Sequence, residues 1–230
     1  MKVMLLAAGK GTRMLPLTAT TPKPLLKVGG MALIEHQLGK LQAAGFTGVV
    51  INHAWLGHQI EQALGDGSRY GVQIQWSRED EPLETAGGIM QALPLLGNEP
   101  FAVVNADIWT DFAFAALRRA LPADGLAHLV LVNNPEHHPR GDFTLNSDAQ
   151  LALPQMNATR TCTYSGIAVF SPALFVGVTE RKYPLLPLLK KAIALGKASG
   201  QMHHGEWLDV GTPERLQELD DRLSKAHPVK

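Results

Sequence analysis

The chain has 230 residues, 45% of them hydrophobic, and 21 Lys+Arg balance 21 Asp+Glu. That apolar content supplies a sizeable core and excludes an intrinsically disordered chain, while the charge balance excludes the broad positive field of a nucleic-acid or anionic-membrane binder. A single cysteine, Cys162, excludes an internal disulfide and a cysteine-based zinc site, and reads as a small buried hydrophobe.

In chain order, Val3–Ala7 predicts a strand that opens almost at once, without the architecture of a signal peptide. Ala32–Ala44 predicts a helix with Leu33, Ile34, Leu38 and Leu41 on one face and Gly45 as its cap. Val49–Ile51 predicts a strand, Ile60–Leu64 a short helix, Val72–Trp76 a strand and Ala86–Leu96 a helix. Phe101–Val104 predicts a strand running into Asn105-Ala106-Asp107, followed by a helix at Asp111–Ala120 and a strand at His128–Val132. This β-α alternation predicts an α/β fold with a doubly wound, mostly parallel, Rossmann-like sheet. Beyond residue 134 the pattern changes. Phe143–Leu145 and Gln150–Leu153 flank a hairpin turn, Thr163–Phe170 is a strand, Leu185–Leu195 a helix, Gln201–His203 a return strand, and Pro213 starts a terminal helix. We expect one unit: a nucleotide-binding core at about 1–134, a small sugar-binding lobe at about 135–200, and a return to the core at 201–230. No apolar run approaches the roughly 20 residues of a membrane span, so no membrane is expected and the location is expected to be cytoplasmic.

The first strand stops in a glycine-rich turn, "AAGKGTRM". Backbone N–H groups in such a turn converge on phosphate oxygens because no Cβ obstructs them. The turn lacks the Gly-Lys-Ser/Thr of a P-loop and the third glycine of the dinucleotide fingerprint, whose place Met14 takes. Arg13 and, ten residues on, Lys23 between two prolines add positive charge to it.

The whole stretch "LLAAGKGTRMLPLTATTPKPLLKVGG" resembles the signature of the sugar-1-phosphate nucleotidyltransferases, matching nearly every position over 25 residues. The resemblance implies transfer of a nucleoside monophosphate to a sugar-1-phosphate, with pyrophosphate leaving. It implies that Ala7, Ala8, Gly9, Gly11 and Thr12 lie along the nucleotide, that Arg13 holds the departing phosphates, and that Lys23 neutralises charge at the attacked phosphorus. Asp107, at the carboxyl end of a buried strand, and Asp209, in "EWLDVGTPERL", resemble the family's two metal-binding aspartates, which implies Mg²⁺ as cofactor. "SREDEPLETAGG" resembles the base-reading loop. There Glu79 or Glu81 could accept from a uracil or thymine N3–H, spacing favours Glu79, and Thr85, Ala86 and Gly87 could meet the base edge. Glu84 stands where the family pattern has glycine.

"RGDFTL" and "TYSGIAVFSP" resemble the segments that cradle the hexose, which implies roles for Gly141, Asp142 and Gly166, with Asn105 facing either sugar or loop. Trp207 could line the pocket, although tryptophan is more often packing. The pairs His137-His138 and His203-His204 are read as solvated or half-buried, because neighbours on a strand face opposite ways. His53 and His58 are given no role beyond a pocket wall. The match spans almost the whole chain and leaves no room for an appended acyltransferase. Whole-chain likeness implies UTP and N-acetylmuramate α-1-phosphate as substrates, in cell-wall recycling. Glucose-1-phosphate with dTTP or UTP, mannose-1-phosphate with GTP, and a catalytically silent nucleotide-sugar sensor stand as alternatives. The oligomeric state stays open, a monomer being compatible with every residue read.

Overall fold

The computed structural model describes residues 1–156 and 160–226. Strand β1 (Val3–Leu6) leads through three short 3-10 turns, at Thr12–Met14, Leu17–Ala19 and Lys23–Leu25, to the small hairpin β2 (Lys27–Val28) and β3 (Met31–Ala32). Helix α1 (Leu33–Ala43), β4 (Gly48–His53), α2 (Gly57–Leu64), β5 (Gln73–Arg78), α3 (Glu84–Leu96) and β6 (Phe101–Asn105) then alternate. They are followed by β7 (Ile108–Thr110), β8 (Ala127–Val132), the hairpin β9 (Thr144–Leu145) and β10 (Leu151–Ala152), and β11 (Thr163–Phe170). Helix α4 (Leu186–Ala194), β12 (Ala198–Met202), β13 (Trp207–Asp209) and α5 (Pro213–Ala226) complete the described chain.

The central sheet has seven strands in the order β12-β8-β11-β6-β1-β4-β5, all parallel except β11, which runs antiparallel to both neighbours. Its inner strands are apolar on both faces, as strands sandwiched between helices must be. Val3 and Leu5 of β1 pack with Ile34, Leu38 and Leu41 of α1, while Met4 between them packs with Ala86 and Ile89 of α3. The two-residue period of the strand thus feeds two separate cores. A third cluster joins Met14, Leu26 and Val28 to Val210 and to Leu219 of α5, fixing the terminal helix against the glycine-rich segment.

The helix predicted over Asp111–Ala120 is corrected: only a 3-10 segment at Phe114–Arg119 forms. The Asp111 N–H donates to the Glu206 carbonyl and the Phe112 N–H to Thr110 Oγ1, which holds the start extended. Phe112 and Phe114, two apart, are both buried, a spacing that an α-helical stripe does not provide. The return strand also shifts, to Ala198–Met202, parallel to β8 at the sheet edge.

Candidate active site

The carboxyl ends of β1, β4 and β6 open onto one cleft, as in other parallel sheets. At the end of β1, Gly11 has φ 63°, and a Cβ there would come within 2.9 Å of Thr18 Cγ2. The Thr18 hydroxyl donates to the Gly11 carbonyl at 2.8 Å and closes the turn. A cavity of about 230 Å³ beside it is lined by Gly11, Thr12, Arg13, Lys23 and Asp107 among others. Lys23 is 8% exposed, and its ammonium is ion-paired with Asp107 Oδ2. A buried lysine needs such a partner, since an unpaired charge there would be too costly.

Asp107 and Asp209 are brought together by strand pairing. Asp107 directly precedes β7, and β7 pairs antiparallel with β13 so that Asp209 stands opposite Ile108; the Val210 N–H closes the ribbon on the Asp107 carbonyl at 2.9 Å. Both aspartates line a cavity of about 380 Å³. Arg215 Nη1 donates to Asp209 Oδ2 at 2.9 Å and to His137 Nε2 at 2.7 Å. Partial burial, and then the Arg215 charge, hold the His137 imidazole below its ordinary pKa, consistent with a neutral ring that accepts this bond. Each aspartate therefore commits Oδ2 to a cation, and among the described residues neither Oδ1 has a hydrogen-bond partner. Two carboxylates with one free oxygen each, beside room for phosphate and water, suit an octahedral Mg²⁺ site completed by substrate.

A neighbouring cavity of about 240 Å³ is lined by Ala8, Gly9, Asn52, Glu79, Glu84 and Thr85, among others. Asn52, at the end of β4, links its two walls: Oδ1 accepts from the Ala7 N–H at 2.9 Å and Nδ2 donates to Glu79 Oε1 at 2.7 Å. Glu79 Oε2 accepts from the Leu83 N–H at 2.9 Å. Burial pushes the Glu79 carboxyl above the ordinary glutamate range, against the opposing pull of the Asn52 amide and the Leu83 N–H. Ala7, whose N–H is taken by Asn52, does not line the cavity. Gly87 does not either: its N–H donates to the Tyr183 carbonyl at 3.0 Å, and a Cβ would meet the Arg181 carbonyl oxygen at 2.4 Å. Gly88 is the glycine packed on Glu79, since its Cβ would lie 2.6 Å from Glu79 Oε1. Glu84 has φ 64°, which explains why the family pattern carries glycine at its position. A side chain there costs roughly 1–2 kcal/mol of backbone strain.

On the other side, β11 bulges between Tyr164 and Ile167, with Gly166 at φ 81° inside the bulge. Asn105, Tyr164, Gly166 and Trp207 line the larger cavity, and the Trp207 indole N–H donates to the Ser165 carbonyl at 2.8 Å. A Cβ at residue 166 would stand 2.7 Å from Asn105 Nδ2. Gly166→Ala is thus expected to lose about 1–3 kcal/mol of stability in a thermal melt. An unchanged melt would remove the bulge argument. Gly141 and Asp142 lie outside the cavity lining: the Asp142 carboxylate accepts from the Tyr164 N–H at 2.8 Å and contacts His138 Nε2 at 3.0 Å, bracing the wall from behind.

His137 is exposed and His138 half-buried, as expected, but both line the cavity, and the expectation that they lie on a strand is corrected. They sit in a turn after β8, where alternation does not apply. Their position just past the carboxyl end of a core strand was the available signal. Asn52, a polar residue ending the apolar run of β4, carried the same signal. Arg215 carried another, since a cation in the first turn of a helix opposes the helix dipole and needs a local reason.

Two clefts meeting at a lysine-paired aspartate, at the carboxyl ends of a mostly parallel sheet, suit a protein that brings two ligands together. The chain belongs to the nucleotidyl transferase family, which matches residues 2–226. It is 53% identical over 223 residues to the N-acetylmuramate alpha-1-phosphate uridylyltransferase of Neisseria meningitidis serogroup B, covering 95% of this chain and 96% of that one. The protein of the same name from Caulobacter vibrioides is 34% identical over 234 residues, covering 97% of each chain. A structure from Bacillus anthracis, assigned as a glucose-1-phosphate thymidylyltransferase and solved with sucrose, superposes with a TM-score of 0.85 at 19% identity, covering 100% and 97% of the two chains. That last likeness concerns the fold. Among the described residues no helix is long and apolar enough to cross a membrane.

Proposed function

We propose that this chain transfers the uridylyl group of UTP to N-acetylmuramate α-1-phosphate, giving a UDP-sugar and pyrophosphate in cell-wall recycling. The observation that carries the reading is the shared wall of the two clefts. Asn105 and Asp107 line both, so two ligands bound side by side would meet at Asp107. Residues 1–134 would hold the nucleotide, 135–200 would supply sugar-lobe elements, and 201–230 would close the site.

In this mechanism Gly9, Gly11 and Thr12 approach the triphosphate through their backbone, and Arg13 holds the phosphates that depart. A sugar-phosphate oxygen attacks the α-phosphorus in line, forming one P–O bond as the bond to pyrophosphate breaks. With a second phosphate pKa near ~6 the nucleophile arrives largely deprotonated, so no general base is required. Lys23, prepositioned by Asp107, neutralises charge that builds on the α-phosphate. Mg²⁺, held by Asp107 and Asp209, would supply Lewis-acid neutralisation of the two approaching anions. Asn105, Gly166 and Trp207 orient the sugar. Glu79 and Thr85 read the base, and Ala7 and Gly87 support them through the backbone bonds described above.

A matrix of nucleoside triphosphates against sugar-1-phosphates, read by pyrophosphate release with Mg²⁺, tests the assignment. UTP with N-acetylmuramate α-1-phosphate is expected to turn over fastest. Preference for glucose-1-phosphate would sink the acceptor, and no turnover in any well would favour a sensor. A pH dependence follows from Glu79, whose pKa in the folded chain lies above the ordinary glutamate value of 4.5. Below 4.5 the carboxyl is protonated in both folded and unfolded chains, and its burial costs nothing extra. As pH rises through the raised value, ionisation costs stability, and the ionised group becomes the acceptor that a uracil N3–H needs. KM for UTP should therefore rise as pH falls toward that value, and Glu79→Gln should flatten the profile. A profile unchanged in the variant would exclude Glu79 as base reader.

A further inference from the structure

Glu84 is the first residue of α3 and adopts the left-handed backbone, φ 64°, that glycine would take without strain. It packs into no core, being exposed, and its carboxylate makes no hydrogen bond or ion pair among the described residues. An acid in the first helical turn gains about 0.3–1 kcal/mol from the helix dipole, which falls short of the roughly 1–2 kcal/mol of backbone strain. Glu84 does line the 240 Å³ cavity that also contains Glu79 and Asp107. Strained residues that persist beside a ligand cleft point to a functional use of the side chain.

The chemistry of the cleft narrows that use. An ionised carboxylate only accepts hydrogen bonds. At the buried end the base faces Glu79, already braced by Asn52 and the Leu83 N–H. At the other end Arg13 and Lys23 gather the phosphates, whose charge a carboxylate repels. Between base and phosphates a nucleotide offers two donors, the hydroxyls of its ribose. We propose that Glu84 accepts hydrogen bonds from the ribose hydroxyls and makes the enzyme select ribonucleotides, a role that rests on the nucleotide lying in this cavity. The strain is thereby kept for discrimination, not for folding.

The test compares kcat/KM for UTP and 2′,3′-dideoxyUTP in the wild type, Glu84→Gln and Glu84→Gly. The wild type should favour UTP by about tenfold or more, the usual size of one charge-assisted hydrogen bond. Glu84→Gly should bring the ratio to within about threefold of unity, and Glu84→Gln, which keeps a neutral acceptor, should fall between. A melting temperature for Glu84→Gly at or above that of the wild type would show that the fold is intact. A glycine variant that keeps the wild-type ratio, or a wild type that does not distinguish the two nucleotides, would overturn the proposal. If another triphosphate proves to be the donor, the same ratio is measured with it and its dideoxy form. A wrong base assignment therefore fails separately from Glu84. If no pair turns over, calorimetric affinities for UTP and dideoxyUTP give the same ratio without chemistry.

Discussion

Replacing Asp107 by asparagine is expected to lower kcat by roughly 10²–10³-fold, the usual size of losing one charged group from a preorganised site. The substitution is isosteric, the backbone carbonyl that receives the Val210 N–H is untouched, and the new amide oxygen can still accept from Lys23, so the fold should persist. The buried ammonium nevertheless loses its counter-charge, and the melting curve should shift down by the equivalent of about 1–2 kcal/mol. Two functions would be lost together. A proposed metal ligand becomes a neutral amide, and the Lys23 ammonium loses the carboxylate that holds it in a buried position. Because both act as charge develops at the reacting phosphorus, the loss should fall on kcat more than on KM for UTP. Near-normal turnover by pyrophosphate release would remove Asp107 from the mechanism and, with it, the account of where the two substrates meet.

Asn52→Ala should have the largest effect on stability. It removes two bonds at once, stranding the Ala7 N–H on one side and Glu79 Oε1 on the other. Leaving buried polar groups without partners costs about 2–4 kcal/mol, or roughly 5–15 °C in Tm for a chain of this size. It should also act on recognition. The Asn52 hydrogen bond lowers the Glu79 pKa, so its loss raises that carboxyl further and moves the pH dependence of the UTP KM upward. A variant that melts early but binds UTP with an unshifted pH profile would separate the structural role of Asn52 from the reading of the base.

The alternating core was legible because its strands are short apolar runs and its helices carry one apolar face, as β1 and α1 show. Local pattern failed where a distant partner decides. Asp111–Ala120 has helix-forming composition, yet Glu206, on a segment remote in sequence, captures the Asp111 N–H and keeps the start extended. Arg13, Lys23, Asp107 and Asp209 stood out as residues of a recognisable signature, and the fold gathers them around adjoining cavities. Asn52, His137 and Arg215 did not, because each acts by holding another side chain, and such a relation exists only after the chain has folded. Glu84 was visible as a departure from pattern; its backbone angle supplies the reason the departure matters.

The ribbon formed by β7 and β13 has a consequence for the order of folding. The cavity beside Glu79 is lined by segments between β1 and β6, with Asn105 and Asp107 at its far edge. The second carboxylate comes with Trp207–Asp209, about a hundred residues after Asp107, and reaches it only when β13 zips onto β7. The meeting of the two carboxylates is thus a long-range event, made only when β13 pairs with β7 across that length of chain, and it forms later than the local turn that shapes the glycine-rich segment.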